Sequence, residues 1–166
     1  MQLQCFTNKL MGNRVMMLFE LNVVSNTPLT PIDDLKEASL EFLKQIGYIS
    51  KGYDPKTDVD NIQESIPYRL FTECFLGNLN RVWAVEELSA YLGTTKPTVY
   101  RHLNKLKAID VLEDISIDVE GQRKKGYRIR YGDLGKAWSF TEANVDMAMQ
   151  SYRRTVEHLQ RLAREE

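Results

Sequence analysis

Cysteine and histidine are scarce in this chain, with two of each among 166 residues. Cys5 and Cys74 lie too far apart in sequence to suggest a disulfide framework, and a reducing cytoplasm is the simpler setting for them. As side chains they read as small apolar packing residues. His102 and His158 stand at no metal-ligand spacing with a cysteine or with each other, so no metal site is expected. Asp146 and His158 would have to meet across two subunits, and an exposed helical histidine is the plainer reading. Also missing is any run near the roughly twenty apolar residues that a membrane span needs. Val15 to Phe19 is apolar but is cut off by Arg14 and Glu20, too short even for a signal peptide. There is no phosphate-cradling glycine loop, no GxGxxG and no nucleophile elbow, and Asp33 with Asp34 reads as a helix start. Neither an enzyme nor a cofactor is therefore expected.

Strong net charge is absent too: the formal value is −1. The charge is nonetheless segregated. Residues 1–75 carry seven Lys and Arg against ten Asp and Glu, and the remainder carries fifteen against thirteen. With 43% hydrophobic residues the chain has enough apolar surface for one moderate core or two small ones.

The most informative stretch is WAVEELSAYLGTTKPTVYRHLNKLKAIDVLE, Trp83 to Glu113. Val85, Leu88 and Leu92 recur at helical steps, so a short helix ends at Gly93, which can take the left-handed conformation that closes it. Thr95 is placed to cap a second helix, and Pro97 falls in its first turn, where a missing N–H costs nothing. Val99, Leu103 and Leu106 form the inward stripe of that helix, about 96–108. Lys96, Thr98, Tyr100, Arg101, Asn104 and Lys105 point elsewhere, and no acidic residue occurs between Thr94 and Ala108. Two helices joined by a short glycine-containing turn form a helix-turn-helix, whose second helix enters the major groove of DNA. An ordinary helical hairpin with a solvated basic face is the plainer alternative.

After Leu112 the period falls to two. Ile115, Ile117 and Val119, then Tyr127, Ile129 and Tyr131, alternate with polar residues as half-buried strands do. Between them lies EGQRKKG, which predicts a hairpin with Arg123, Lys124 and Lys125 at its tip, a basic wing suited to phosphates or a minor groove. His102, within the second helix, is packed or phosphate-facing; Trp83 and Trp138 are expected core anchors.

The segment LSAYLGTTKPTVYRHLNKLKAIDVL and the wing after it resemble the winged helix-turn-helix of ArsR-type transcription regulators, with the MarR and IclR types as near relatives. The likeness spans roughly Ile66 to Glu165. It departs from the family where Asp110 replaces the glycine that usually precedes the hydrophobic pair opening the wing, although Asp also tolerates left-handed geometry. The paired cysteines and the His and Asp pairs of metal-sensing members are lacking. The resemblance implies dimerisation through terminal helices.

At the C-terminus, Ser139, Phe140, Thr141 and Glu142 spell a capping box ahead of a long helix. Val145, Met149, Tyr152, Val156, Leu159 and Ala163 then recur at steps of four and three, a seam that a partner copy would cover. Packing against the N-terminal region of the same chain is the other solution. That region is less legible. Helical spacing of Leu10, Met11, Val15, Leu18, Phe19 and Val23 predicts a helix over about Thr7 to Val24. Thr30, Pro31 and Asp33 announce a second, which carries Leu35, Phe42 and Ile46 inward and stops at Gly47.

The expected architecture is mainly α with a small β-hairpin wing. Its parts are a helical extension at 1–51, read as a degenerate winged helix or a dimer or effector element, a linker at 52–65, a winged helix-turn-helix at 66–132 and a dimerisation helix at 139–166. The expected partners are double-stranded DNA and a second copy in a homodimer, with no membrane; an unidentified small-molecule effector stays open. The expected groove residues are Thr95, Lys96, Thr98, Tyr100, Arg101, Asn104 and Lys105, with Arg123, Lys124 and Lys125 from the wing. The competing function is a winged helix that serves as a protein-interaction module in a larger assembly.

Overall fold

The computed structural model describes residues 3–4, 20–21, 31–49, 62–119 and 121–165. Leu3–Gln4 (β1) pairs antiparallel with Glu20–Leu21 (β2). The helix predicted over Thr7 to Val24 is therefore interrupted at Glu20 by extended backbone, and most of its span lies outside the described residues.

Helix α1, Leu35–Gln45, starts where Asp34 accepts a hydrogen bond from the Glu37 N–H at 2.8 Å. It stops before Gly47, whose φ of 73° is the left-handed closure expected of it. Leu40 and Leu43 are buried, but Leu35, expected inside, is 59% exposed because it occupies the first helical position, ahead of the buried stripe. Helix α2 opens at Ile66–Arg69 and runs on through a wider turn, Leu70–Phe75, into a tight turn at Leu76–Asn78. Next come β3 (Trp83–Ala84), α3 (Val85–Leu92), α4 (Lys96–Ala108), β4 (Leu112–Val119), β5 (Gln122–Ile129) and α5 (Leu134–Glu165).

Among the described residues, one hydrophobic core serves the elements from α1 to α5. Leu43 from α1, Phe71 and Phe75 from the α2 run, Leu88 from α3, Leu103 and Leu106 from α4 and Ile129 from β5 are each essentially inaccessible. Phe42 of α1 joins it by packing on Phe71 and Trp138, with ring centroids 5.9 and 5.3 Å apart. Trp83 is buried as expected, and its indole N–H donates to the Cys74 carbonyl at 2.9 Å. Cys74 is fully buried, and burial pushes its thiol up to about 12, which keeps it an unreactive packing residue.

The sheet is antiparallel in the order β3-β5-β4. Its register pairs Asp114 with Tyr127, Ile115 with Gly126 and Val119 with Gln122. One sequence expectation changes here. The hairpin turns between Val119 and Gln122, so Arg123, Lys124 and Lys125 lie on strand β5 rather than at the tip. The two apolar stripes fall on opposite faces: Tyr127 and Ile129 share the core face with Leu112, whereas Ile115 and Ile117 share the other with Gly126. Glycine is required at 126, since a Cβ there would stand 2.4 Å from a methyl of Val82. Tyr131, expected as a third inward strand residue, follows the end of β5 in a turn with φ 58° and is 57% exposed.

The C-terminal helix begins at Leu134, ahead of the capping box read at Ser139. Asp133 is its start: its carboxylate accepts the Lys136 N–H at 3.0 Å and its carbonyl the Ala137 N–H at 3.0 Å. Ser139 instead donates to the Gly135 carbonyl within the helix. Gly135, a poor helix former in the first turn, masked the true start.

Candidate nucleic-acid interface

Helix α4 is built as its residues require. Thr95 accepts the Thr98 N–H at 3.4 Å, Pro97 sits in the first turn, and Gly93 closes α3 with φ 63°. Val99, His102, Leu103 and Leu106 are the buried side. At about 3.6 residues per turn, the side directly opposite carries Pro97, Arg101, Asn104 and Ala108, with Tyr100 on one flank and Lys105 on the other. Arg101, Asn104, Lys105 and Tyr100 are all exposed.

The remaining expected groove residues are more engaged. Thr95 and Thr98 bring their hydroxyls to 3.0 Å of each other within the cap, and Thr98 is half-buried. Lys96 reaches back to Glu86 of α3 at 2.7 Å. That contact, assisted by Lys124, holds the Glu86 carboxyl below its ordinary range. His102 is packed: its ring meets Tyr48 edge-on at 5.9 Å and is 8% exposed, and burial, with Arg101 and Lys105 beside it, lowers it to about 4. It does not face phosphate.

The wing lies against the same helix. Lys107 of α4 forms an ion pair with Asp114 of β4 and stands over the Tyr127 ring at 5.8 Å. The face of the hairpin that bears Asp114 and Tyr127 is therefore the one turned to α4. Arg123 and Lys125 share that face, and Lys125 approaches Asp114 at 3.5 Å. Lys124 lies on the other face, and its charge helps to lower the Glu86 carboxyl. Lys107, Asp114 and Glu86 were not singled out in the sequence. Their spacing carries no signal: Lys107 meets Asp114 only when the hairpin folds against α4, and Glu86 meets Lys96 only when α3 and α4 pack together.

At the far end of α4, Asp110 has φ 60°, so the position where a glycine was expected is left-handed. Its carboxylate binds Arg130 at 2.6 Å and Asn144 of α5 at 2.6 Å. Along α5, Val145 packs against the core, while Met149, Val156 and Leu159 are 42, 61 and 59% exposed and Ala163 is also exposed. Tyr152 is 40% exposed. His158 hydrogen-bonds with Arg161 at 2.9 Å, and the twelve residues from Asp146 place the two about 18 Å apart on one helix. Among the described residues no group of three His, Cys, Asp or Glu side chains could hold a metal ion. Nor is any helix among them long and apolar enough to cross a membrane.

Two short helices at a glycine corner, a basic outer helix face and a hairpin folded onto its flank define a winged helix-turn-helix, the fold of DNA-binding transcription regulators. Residues 81–113, which hold the helix-turn-helix, match the model for bacterial regulatory proteins of the arsR family. No curated protein matches the chain. Among solved structures it is similar to a possible transcriptional regulator from Methanosarcina mazei Go1, at 17% identity and a TM-score of 0.41, over 60% of this chain and 85% of the other.

Proposed function

We propose that the protein is a homodimeric regulator that reads a specific duplex sequence. Helix α4 enters the major groove, and the wing follows the adjoining backbone or minor groove. The observation that carries this reading is the outward side of α4, where Arg101 and Asn104 stand at the centre of an exposed face without a carboxylate. Arg pairs with guanine and Asn with adenine through two hydrogen bonds each, so these two are assigned to base edges. Lys105, Lys96 and the wing cations supply phosphate affinity. Tyr100 sits toward the wing, placed for a base methyl or a phosphate.

The dimer is assigned to α5. Beyond Val145 its stripe of Met149, Tyr152, Val156, Leu159 and Ala163 leaves the core at heptad spacing, the pattern that a second copy of the same helix covers. Selection of bound sequences from a random duplex pool tests the whole reading. A two-fold symmetric consensus with half-sites about 34 Å apart, or a multiple of that, is the expected result. A pool that enriches nothing would instead assign the basic face to a protein-interaction module.

A further inference from the structure

Three elements converge where α4 ends. The Thr141 hydroxyl of α5, fully buried, donates to the Ile109 carbonyl at 2.5 Å. One residue on, the Asp110 carboxylate takes Arg130 on one oxygen and Asn144 on the other, each at 2.6 Å, while Arg130 Nε donates to the Asp110 carbonyl at 3.1 Å. Arg130 leaves the wing, and its guanidinium also covers the Phe140 ring of α5 at 4.9 Å. The side chains of Arg130 and Asp110 are only 23 and 27% exposed, so this is not a loose surface pair that salt would screen away.

Asp110 tolerates its φ of 60°, where glycine would carry no strain at all. Its carboxylate is what a glycine could not supply. We propose that Asp110, Arg130 and Asn144 form a charged clamp that fixes the direction of α5 relative to α4, and thereby sets the half-site spacing a pair of chains accepts. This rests on the homodimeric DNA-reading function above. None of the three touches DNA; they are positioning residues. The leverage is large. From Val145 to Glu165 the helix extends roughly 30 Å, so a tilt of about 10° at the clamp moves its far end by about 5 Å, more than the ~3.4 Å rise of one base pair.

Asp110→Gly is the decisive variant, since it relieves the backbone while deleting the carboxylate and so is expected to fold. Asn144→Ala cuts only the arm to α5, and Asp110→Asn keeps one accepting oxygen. The first readout needs no DNA: the distance between nitroxides on cysteines introduced by N104C and Q160C in a full-length Cys5→Ser chain, diluted with unlabelled chain. Buried Cys74 stays unlabelled. A single narrow distance is expected in the parent, a broad distribution in D110G and N144A, and an intermediate one in D110N. The second readout is affinity for duplexes carrying the selected half-sites at stepped spacings. The parent should prefer one spacing by roughly tenfold, the scale of a small duplex deformation. D110G should lose that preference while binding a single half-site as well as before. An unchanged distance distribution in D110G, or a retained spacing preference, overturns the clamp. Distances that broaden in D110G, with a parent that binds no duplex, would uphold the clamp as an orienting device and overturn the DNA-reading function instead.

Discussion

Two neighbouring residues of α4, Arg101 and His102, divide its work. Arg101 lies at the middle of the outward face, and Arg101→Ala should cost about 1–3 kcal/mol of binding and relax one position of the selected site. Unchanged affinity and consensus would remove it from the interface. His102, one step round the helix, is held neutral by burial, with its pKa lowered from 6.5 to about 4. The unfolded chain therefore takes up this proton first. Stability is complete above pH 6.5, declines as the pH falls through the interval, and levels near 4, with at most about 3 kcal/mol lost. Urea unfolding at pH 7.5 and pH 5 should show that slope, and His102→Leu should flatten it. Equal slopes in the two proteins would mean that His102 titrates normally when folded. The inward stripe of Val99, Leu103 and Leu106 was visible in the sequence. For His102 the sequence left packing and phosphate contact both open, because Tyr48, which packs on its ring, comes from a distant part of the chain.

At the scale of elements, the helix-turn-helix was legible almost residue by residue, since every one of its signals is local. Gly93, Thr95 and Pro97 act within one turn of where they stand. The wing was legible as a hairpin but not in its facing, because facing depends on register. Pairing Val119 with Gln122 sends Arg123 and Lys125 to the α4 side and Lys124 to the other. Replacing Arg123 with Ala should lower the slope of log affinity against log salt by about one, and replacing Lys124 should change it less. The reverse order would mean that DNA meets the opposite face of the hairpin. The start of α5 was misplaced for a related reason: Ser139 to Glu142 has the composition of a cap, yet Thr141 is spent on Ile109 and the cap is made earlier by Asp133.

For the molecule as a whole, oligomeric state is the property on which reading a symmetric site depends. Replacing Val156 and Leu159 together with Lys puts two charges into the exposed stripe of α5, whereas neither residue contributes to the core of its own chain. Sedimentation should then report a monomer with unchanged thermal stability of the winged part, bound to a full site no more tightly than to a half-site. A dimer that survives both substitutions would place the pairing surface elsewhere. Nothing in the local pattern of 31–49 shows that this stretch shares a core with the winged helix; the contact of Phe42 with Phe71 and Trp138 does.

Periodicity, caps and turn residues act over a few positions, so the sequence by itself determined the two helices, the glycine corner, the existence of the wing and the presence of a long last helix. What joins distant segments was decided only in three dimensions: which hairpin face meets α4, where α5 begins, and the tie from Asp110 to Arg130 and Asn144. Those features depend on register and on side chains brought together by packing, and a linear pattern holds no record of either until the core has closed.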